Sequence, residues 1–318
     1  MPFSDIIGHE REIKIFKRAL KNDRVAHSFI FCGPEGIGKR FTALAFAKAL
    51  NCKEVVDDFC GHCQSCRRID NGADPNVVII EPREPDSKGG GVDLLTGTIK
   101  IGHIRDVQQR LSYRVEEWRK KVCVVNGAEK MNREASNAFL KTLEEPPIDT
   151  IIILIASQSS ELLPTILSRC QRINFSPIKR EVVTGLIRER LDVSEERASL
   201  ISGLSGGSLN KAISMWDDEL LEGRKVLLER LSNLSSEDIN GIFELAGWIT
   251  QTDNITDTMD FLKIWYRDIA VFKEGSGDMV INRDMVDRLE RAAQEIEFDT
   301  LWNCFRAIHQ AERDMLPP

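Results

Sequence analysis

The sequence predicts an α/β domain, a parallel sheet with flanking helices, followed by an all-helical remainder. Three observations carry this expectation. Short apolar strands alternate with helical stretches over the first 175 residues, the pattern of a sheet covered on both faces. A glycine-rich segment, Gly33-Pro34-Glu35-Gly36-Ile37-Gly38-Lys39-Arg40, leaves the first of these strands and opens a helix. After Pro177 the strand pattern stops, and the rest of the 318 residues reads as helix.

Residues 9–20 place Ile13, Phe16 and Leu20 on one helical face. Ser28–Cys32 is an apolar strand, and residues 39–50 follow the glycine-rich segment as a helix. That helix would turn its N-terminal dipole toward a bound anion. Val77-Val78-Ile79-Ile80 is the next strand, and residues 81–98, with Pro82, Pro85 and Gly89-Gly90-Gly91, read as loop. Ile101–Leu111 predicts a helix, residues 122–125 a buried strand, and Arg133–Leu143 a helix stopped by Glu144-Glu145-Pro146-Pro147. The strand Ile151–Ile155 is apolar on both faces, as at the centre of a parallel sheet. Residues 179–215 give short helices around Gly203, Gly206 and Gly207. From about 217 onward the chain is helical, with Leu220, Val226, Leu227 and Leu231 as one apolar stripe. The expected division is an α/β domain at 1–176, a small helical domain at 177–215 and a helical bundle at 216–318.

A composition of 42% apolar and 29% charged residues is that of a globular chain. A net charge of −7 argues against a surface that coats nucleic acid throughout. Charge is uneven, however: Lys100–Lys121 holds seven basic residues, among them Arg105, Arg110, Arg114 and Arg119, against Asp106, Glu116 and Glu117. Two readings stay open for that stretch, a solvated helix face with a basic turn, and a patch for DNA or an acidic partner. No apolar run is long enough for a membrane span. The first residues lack the regions of a signal peptide, so the cytoplasm is the expected location.

The glycine-rich segment is a phosphate loop, G-x-x-x-x-G-K-[ST], complete except at its end. Backbone N–H groups of such a loop, here around Gly33, Gly36 and Gly38, cradle phosphates, Lys39 would reach the β/γ oxygens, and the final hydroxyl ligates Mg²⁺. Arg40 stands in place of that hydroxyl. It has donors only and cannot ligate a metal. The strand at 122–125 ends in Asn126-Gly127, where a P-loop ATPase carries Asp-Glu to hold Mg²⁺ and polarise water. Glu129 lies two residues beyond. Lys39 and Gly38 leave two readings open, a loop that still holds nucleotide or sulfate, and a vestigial loop whose Lys39 pairs with a neighbouring carboxylate. Arg40 is a candidate to occupy the space of the missing metal.

Four of the eight cysteines cluster as Cys52, Cys60, Cys63 and Cys66, spaced C-x₇-C-x₂-C-x₂-C. Such short steps suit tetrahedral Zn²⁺, and four thiolates close its shell, which predicts a structural zinc knuckle. His62 lies within it but is not needed. Cys32 and Cys123 sit in apolar strands and are expected to pack as core residues.

His27-Ser28-Phe29-Ile30-Phe31-Cys32-Gly33-Pro34, the cysteine knuckle, Ile104-Arg105, Leu140–Pro147 and Leu167-Ser168-Arg169-Cys170 together resemble the delta prime branch of the bacterial DNA polymerase III clamp loaders, a AAA+ family. The resemblance covers about the first 215 residues; the last 100 fit the family's helical collar by length and periodicity alone. It implies a AAA+ P-loop domain with a zinc module at 52–66, a helical lid and a collar that joins subunits. It also implies a non-hydrolysing stator, built into a hetero-pentameric ring with gamma/tau and delta subunits that loads a sliding clamp on primed DNA. In related active subunits ATP is bound and hydrolysed; the changes at Arg40, Asn126 and Gly127 place this chain on the inactive side, without ATPase activity of its own. Asn210, within Gly207-Ser208-Leu209-Asn210, stands where active relatives place a sensor arginine, and Ser157 matches the polar residue after the central strand. Arg169 of the Ser-Arg-Cys motif is similar to an arginine finger that reaches the ATP site of the adjacent subunit, a role that suits a permanent, fork-shaped cation. The residue-level alternative is an internal salt bridge at a strand end.

Two other readings compete. An active gamma/tau-type ATPase would need Glu129 to replace the lost acid. A zinc-dependent nucleic-acid binder would use the knuckle and the basic segment, including Arg110 and Arg114.

Overall fold

The computed structural model describes residues 2–83, 97–113, 119–216, 218–234, 238–252 and 255–315. The expected loop residues Pro85 and Gly89–Gly91, and Arg114, Glu116 and Glu117 of the basic stretch, lie outside the described residues. The chain divides into two compact units, residues 1–179 with 208–210, and residues 180–207 with 211–318.

In the first unit α1 (Glu10–Lys21) precedes β1 (Ser28–Cys32), α2 (Lys39–Asn51), α3 (Gln64–Asp70) and β2 (Val77–Ile80). Next come α4 (Ile101–Ser112), β3 (Lys121–Asn126), α5 (Arg133–Glu144), β4 (Thr150–Ala156), α6 (Pro164–Leu167) and β5 (Gln171–Asn174). The strands form one five-stranded sheet in the order β2-β3-β4-β1-β5, parallel throughout. This is the parallel sheet with flanking helices that the AAA+ resemblance implies.

Burial follows position in the sheet. β1 and β4 are buried at every residue, while the edge strands β2 and β5 are not. Alternate residues feed opposite faces. Phe29, Phe31, Val122, Val124 and Ile153 join the core under α1 and α2. Ile30, Cys123, Val125, Ile152 and Leu154 join the core under α4 and α5. Aromatic rings fill the first of these, with Phe16 stacked on Phe46 at 4.6 Å between centroids. Cys32 and Cys123 are buried core residues, as expected.

The second unit holds α7 (Arg180–Leu191), α8 (Glu195–Leu204), most of α9 (Leu209–Ser214), α10 (Asp218–Ser232), α11 (Ile239–Thr250), α12 (Ile255–Lys273), α13 (Val286–Glu295) and α14 (Phe298–Met315). Leu228, Trp265, Ile269, Leu289 and Leu301 form its core. The stripe on α10 differs from the expected one: Val226 is exposed, and Arg224, Leu227 and Leu228 are the buried residues. The buried arginine shifts the buried face by making its own pairs with Asn282 and Asp284, so the face is not purely apolar.

Candidate functional site

The parallel sheet brings the carboxyl ends of β1, β2, β3 and β4 side by side, the place where open α/β sheets bind ligands. β1 leads from Cys32 into the phosphate loop, and α2 begins at Lys39. Gly33 is required by contact as well as conformation. At φ 150°, a Cβ there would lie 2.3 Å from the Phe175 carbonyl oxygen, and that backbone is fixed by the Phe175 N–H donating to Cys32 O at 2.7 Å. Gly36 accepts from the Asn210 N–H at 3.3 Å, so the segment expected to carry a sensor residue meets the loop through its backbone. His9, which sequence reasoning missed, is buried beneath the loop. Its Nε2 hydrogen-bonds Ile37 O at 2.6 Å, and its ring stands edge-on to Phe175.

Lys39 is 6% exposed. Its ammonium donates to the carbonyls of Gly33 and of Pro34, the latter at 2.6 Å. It thus donates to backbone oxygens of its own loop, in place of the carboxylate that the vestigial reading expected. Burial lowers its pKa; Glu35 and Glu129 act against that from nearby. Ser157, just after β4, donates from Oγ to Glu35 and from its N–H to Glu129, both at 3.3 Å. Glu161 is pushed up by burial and then by the field of Glu129. Glu35, Glu129 and Glu161 therefore place negative charge around the loop, which opposes a polyphosphate.

The positions that would hold Mg²⁺ are tied to each other. Arg40 Nε donates to Glu81 Oε1 at 2.8 Å, and the Asn126 amide donates to that same oxygen at 3.1 Å. Glu81 follows β2, in a stretch read only as loop, and no sequence pattern marks it. The residues do not fit a magnesium nucleotide. The hydroxyl ligand is a guanidinium, the acid of β3 is an amide, and the one carboxylate between them is already engaged by two donors.

Four sulfurs meet at the other end of α2. Cys52 caps the C-terminus of α2, Cys63 precedes α3, and Cys66 lies within α3. With Cys60, their Sγ atoms all lie within 4.8 Å of one another, which admits a tetrahedral ion whose sulfurs would stand ~3.8 Å apart. Backbone N–H groups already point at sulfur: Cys60 N donates to Cys52 Sγ at 3.4 Å and Cys63 N to Cys60 Sγ at 3.2 Å. Burial works against the Cys60 thiolate, but the donors at His62 and Cys63 prevail and bring it down to about 6. These residues can hold a metal ion. His62 is exposed and outside the four-sulfur group.

Arg169 follows α6. One nitrogen donates to Thr165 O at 2.9 Å and to Ser168 Oγ at 3.2 Å, and the other pairs with Glu144 at 2.6 Å. Cys170 packs against the core, and burial pushes its thiol up to about 12. In the basic stretch, Arg119 and Lys121 are buried. Arg119 pairs with Asp74, Lys120 with Asp149, and Lys121 donates to Leu111 O. Arg105 and Arg110 are exposed. Arg119, Lys120 and Lys121 are therefore engaged within the domain.

Two family comparisons match the chain. The family described as "DNA polymerase III, delta subunit" matches residues 8–179, and "DNA polymerase III, delta subunit, C terminal" matches residues 218–317. The chain belongs to the DNA polymerase III delta subunit family. It is similar to the delta prime subunit of DNA polymerase III from Bacillus subtilis (strain 168), 28% identical over 307 residues, 95% of this chain and 89% of that one. It is also 26% identical over 340 residues to the tau subunit of the same organism, covering 98% of this chain and 58% of tau. A solved structure of a gamma subunit-related protein from Thermotoga maritima is 19% identical, with a TM-score of 0.42, over 89% of this chain and 98% of that one. The family assignment rests on the sequence matches.

Proposed function

We propose that this chain is a delta prime-type subunit of a DNA polymerase III clamp loader, a stator that does not hydrolyse ATP. The observation that carries the reading is Glu81, whose Oε1 takes up Arg40 and Asn126 together. Two positions that would ligate magnesium instead form a charge-balanced contact, and Lys39 is spent on its own loop.

In this reading the chain assembles with gamma/tau and delta subunits in a hetero-pentameric ring in the cytoplasm. Through that complex it serves the loading of a sliding clamp on primed DNA. Residues 1–176 form the AAA+ domain, 177–215 the lid and 216–318 the collar. Cys52, Cys60, Cys63 and Cys66 hold one structural Zn²⁺, which would fasten the end of α2 to α3. Gly33, Gly36, Gly38 and Lys39 keep the shape of a phosphate loop without its catalytic use. Arg169 acts in trans as an arginine finger, offering a permanent positive charge to the γ-phosphate bound by the adjacent subunit. Its contacts support this: the side chain is 36% exposed, and its guanidinium is held by Glu144, Thr165 and Ser168.

Two measurements test the reading. The purified chain with Mg²⁺ and primed DNA should show no ATP turnover above background; turnover abolished by Lys39→Ala would instead make it a gamma/tau-type motor. In the reconstituted complex, Arg169→Ala should leave assembly intact and slow hydrolysis by ~10³-fold at the one site it serves. An unchanged rate at that site would remove the finger role.

A further inference from the structure

We infer that Glu144 is the positioning residue for Arg169. The inference rests on the finger reading above and goes one step past it.

Arginine has a long side chain whose rotamer freedom is costly to remove. A finger that must meet a phosphate of another subunit works best when that freedom is already removed. Arg169 has this arrangement in the single chain. Thr165 O and Ser168 Oγ hold one terminal nitrogen from the backbone side, and Glu144 Oε1 holds the other at 2.6 Å. Thr165 and Ser168 are close in sequence and travel with Arg169. Glu144 does not: it is the last residue of α5, twenty-five positions earlier, and α5 packs its other face into the core through Phe139 and Leu143. Glu144 therefore ties the fork to the rigid part of the domain.

The pair is also suited to release. Arg169 is 36% and Glu144 49% exposed, so their attraction is screened and weak. A γ-phosphate carries more charge than one carboxylate and binds the same fork bidentately. Glu144 can thus hold the guanidinium in place without keeping it from the phosphate. The run Leu143-Glu144-Glu145-Pro146-Pro147 gains a physical reading: the helix ends where its last carboxylate meets Arg169, and the prolines prevent the turn from extending past it.

The test is a double-mutant cycle in the reconstituted complex, with ATP as the probe and hydrolysis measured against ATP concentration. Glu144→Ala should lower kcat at the site Arg169 serves about 3- to 10-fold, with KM for ATP nearly unchanged. Glu144→Gln, whose amide oxygen still accepts from the guanidinium, should restore most of the rate. In an Arg169→Ala background, Glu144→Ala should have no further effect. If Arg169→Ala slows hydrolysis and Glu144→Ala does not, the positioning role is wrong and the finger reading stands. If Glu144→Ala slows hydrolysis equally with and without Arg169, Glu144 acts by another route and the inference is overturned. If Arg169→Ala itself has no effect, the finger reading fails and the inference fails with it.

Discussion

Arg40 Nε lies 2.8 Å from Glu81 Oε1, so the residue that replaces a magnesium-binding hydroxyl is neutralised by a carboxylate from the next strand's end. The same oxygen accepts from Asn126. A single reversion therefore cannot rebuild a metal site. Arg40→Ser should cost no more than about 1 kcal/mol, since the arginine side chain is 47% exposed. It should leave Mg²⁺-dependent ATP turnover at background. Gly127 compounds this: its φ is +74° and a Cβ would sit 3.0 Å from Pro82 Cγ, so glutamate cannot simply be put back at the end of β3. Denaturant titration and a steady-state ATPase assay on Arg40→Ser check both halves, and turnover by that variant would show that Arg40 alone blocks chemistry and that Asn126 and Gly127 do not.

The broken loop was legible in the sequence because it is local. Gly33 to Arg40 and the end of β3 are read from adjacent residues, and so are the four cysteines. What the sequence hid is what the fold brings together from a distance. Glu81 follows a four-residue strand and looks like loop. β5 has only Ile173 buried among four residues, too little apolar signal for an edge strand. Arg224 and Asp268 are charged residues on helices, which sequence reasoning assigns to solvent, yet both are almost wholly buried. Arg169 was legible as a motif, but its partner Glu144 was visible only as part of a helix stop.

Asp58 links the start of the chain to the cysteine segment. Its carboxylate accepts from Phe3 N at 2.9 Å, Phe59 N at 2.8 Å and Lys17 Nζ at 2.8 Å. Burial would raise its pKa, but Lys17 and the two backbone donors outweigh burial and hold it below the usual carboxylate value. With a folded pKa below the unfolded one, the carboxylate's contribution is present above an unfolded value near 3.8 and is lost as pH falls through the folded value. Asp58→Asn should therefore be less stable than the parent by about 1–2 kcal/mol at pH 7. The two stability curves should converge as pH falls below 3.8 and through the folded value. Parallel curves down to that pH would mean that Asp58 carries no charge-linked stability.

The knuckle supplies a third prediction. One zinc per chain should be found by elemental analysis of the purified protein. Cys63→Ser should lose it and cost more than about 3 kcal/mol, because the ion's binding energy is also folding energy for the α2 to α3 connection. Cys304→Ser, outside the group, should leave zinc content unchanged. Full zinc retention and normal thermal stability in Cys63→Ser would remove the metal from the reading.

The last prediction concerns Asp268, which is 0% exposed in the second unit. Its carboxylate accepts from Ile281 N at 2.9 Å, Asn282 N at 2.7 Å, Asn282 Nδ2 at 2.8 Å and Arg267 at 2.7 Å. Asn282 in turn accepts from the buried Arg224, which also pairs with Asp284. One carboxylate thus joins α12 to the turn before α13 and, through Asn282, to α10. Asp268→Ala strands two backbone donors and leaves Arg224 attached to an asparagine that has lost its own anchor. The expected cost is about 3–5 kcal/mol, the range for breaking a buried charge network on one side. Amide exchange at Ile281 and Asn282 should accelerate with it, since those N–H groups lose their acceptor. Asp268→Asn keeps the shape and one acceptor oxygen but must turn its amide N–H toward other donors, so it should fall between the parent and the alanine variant. Loss of less than about 1 kcal/mol in Asp268→Ala, with unchanged exchange, would mean that neighbouring groups or water replace the carboxylate without strain.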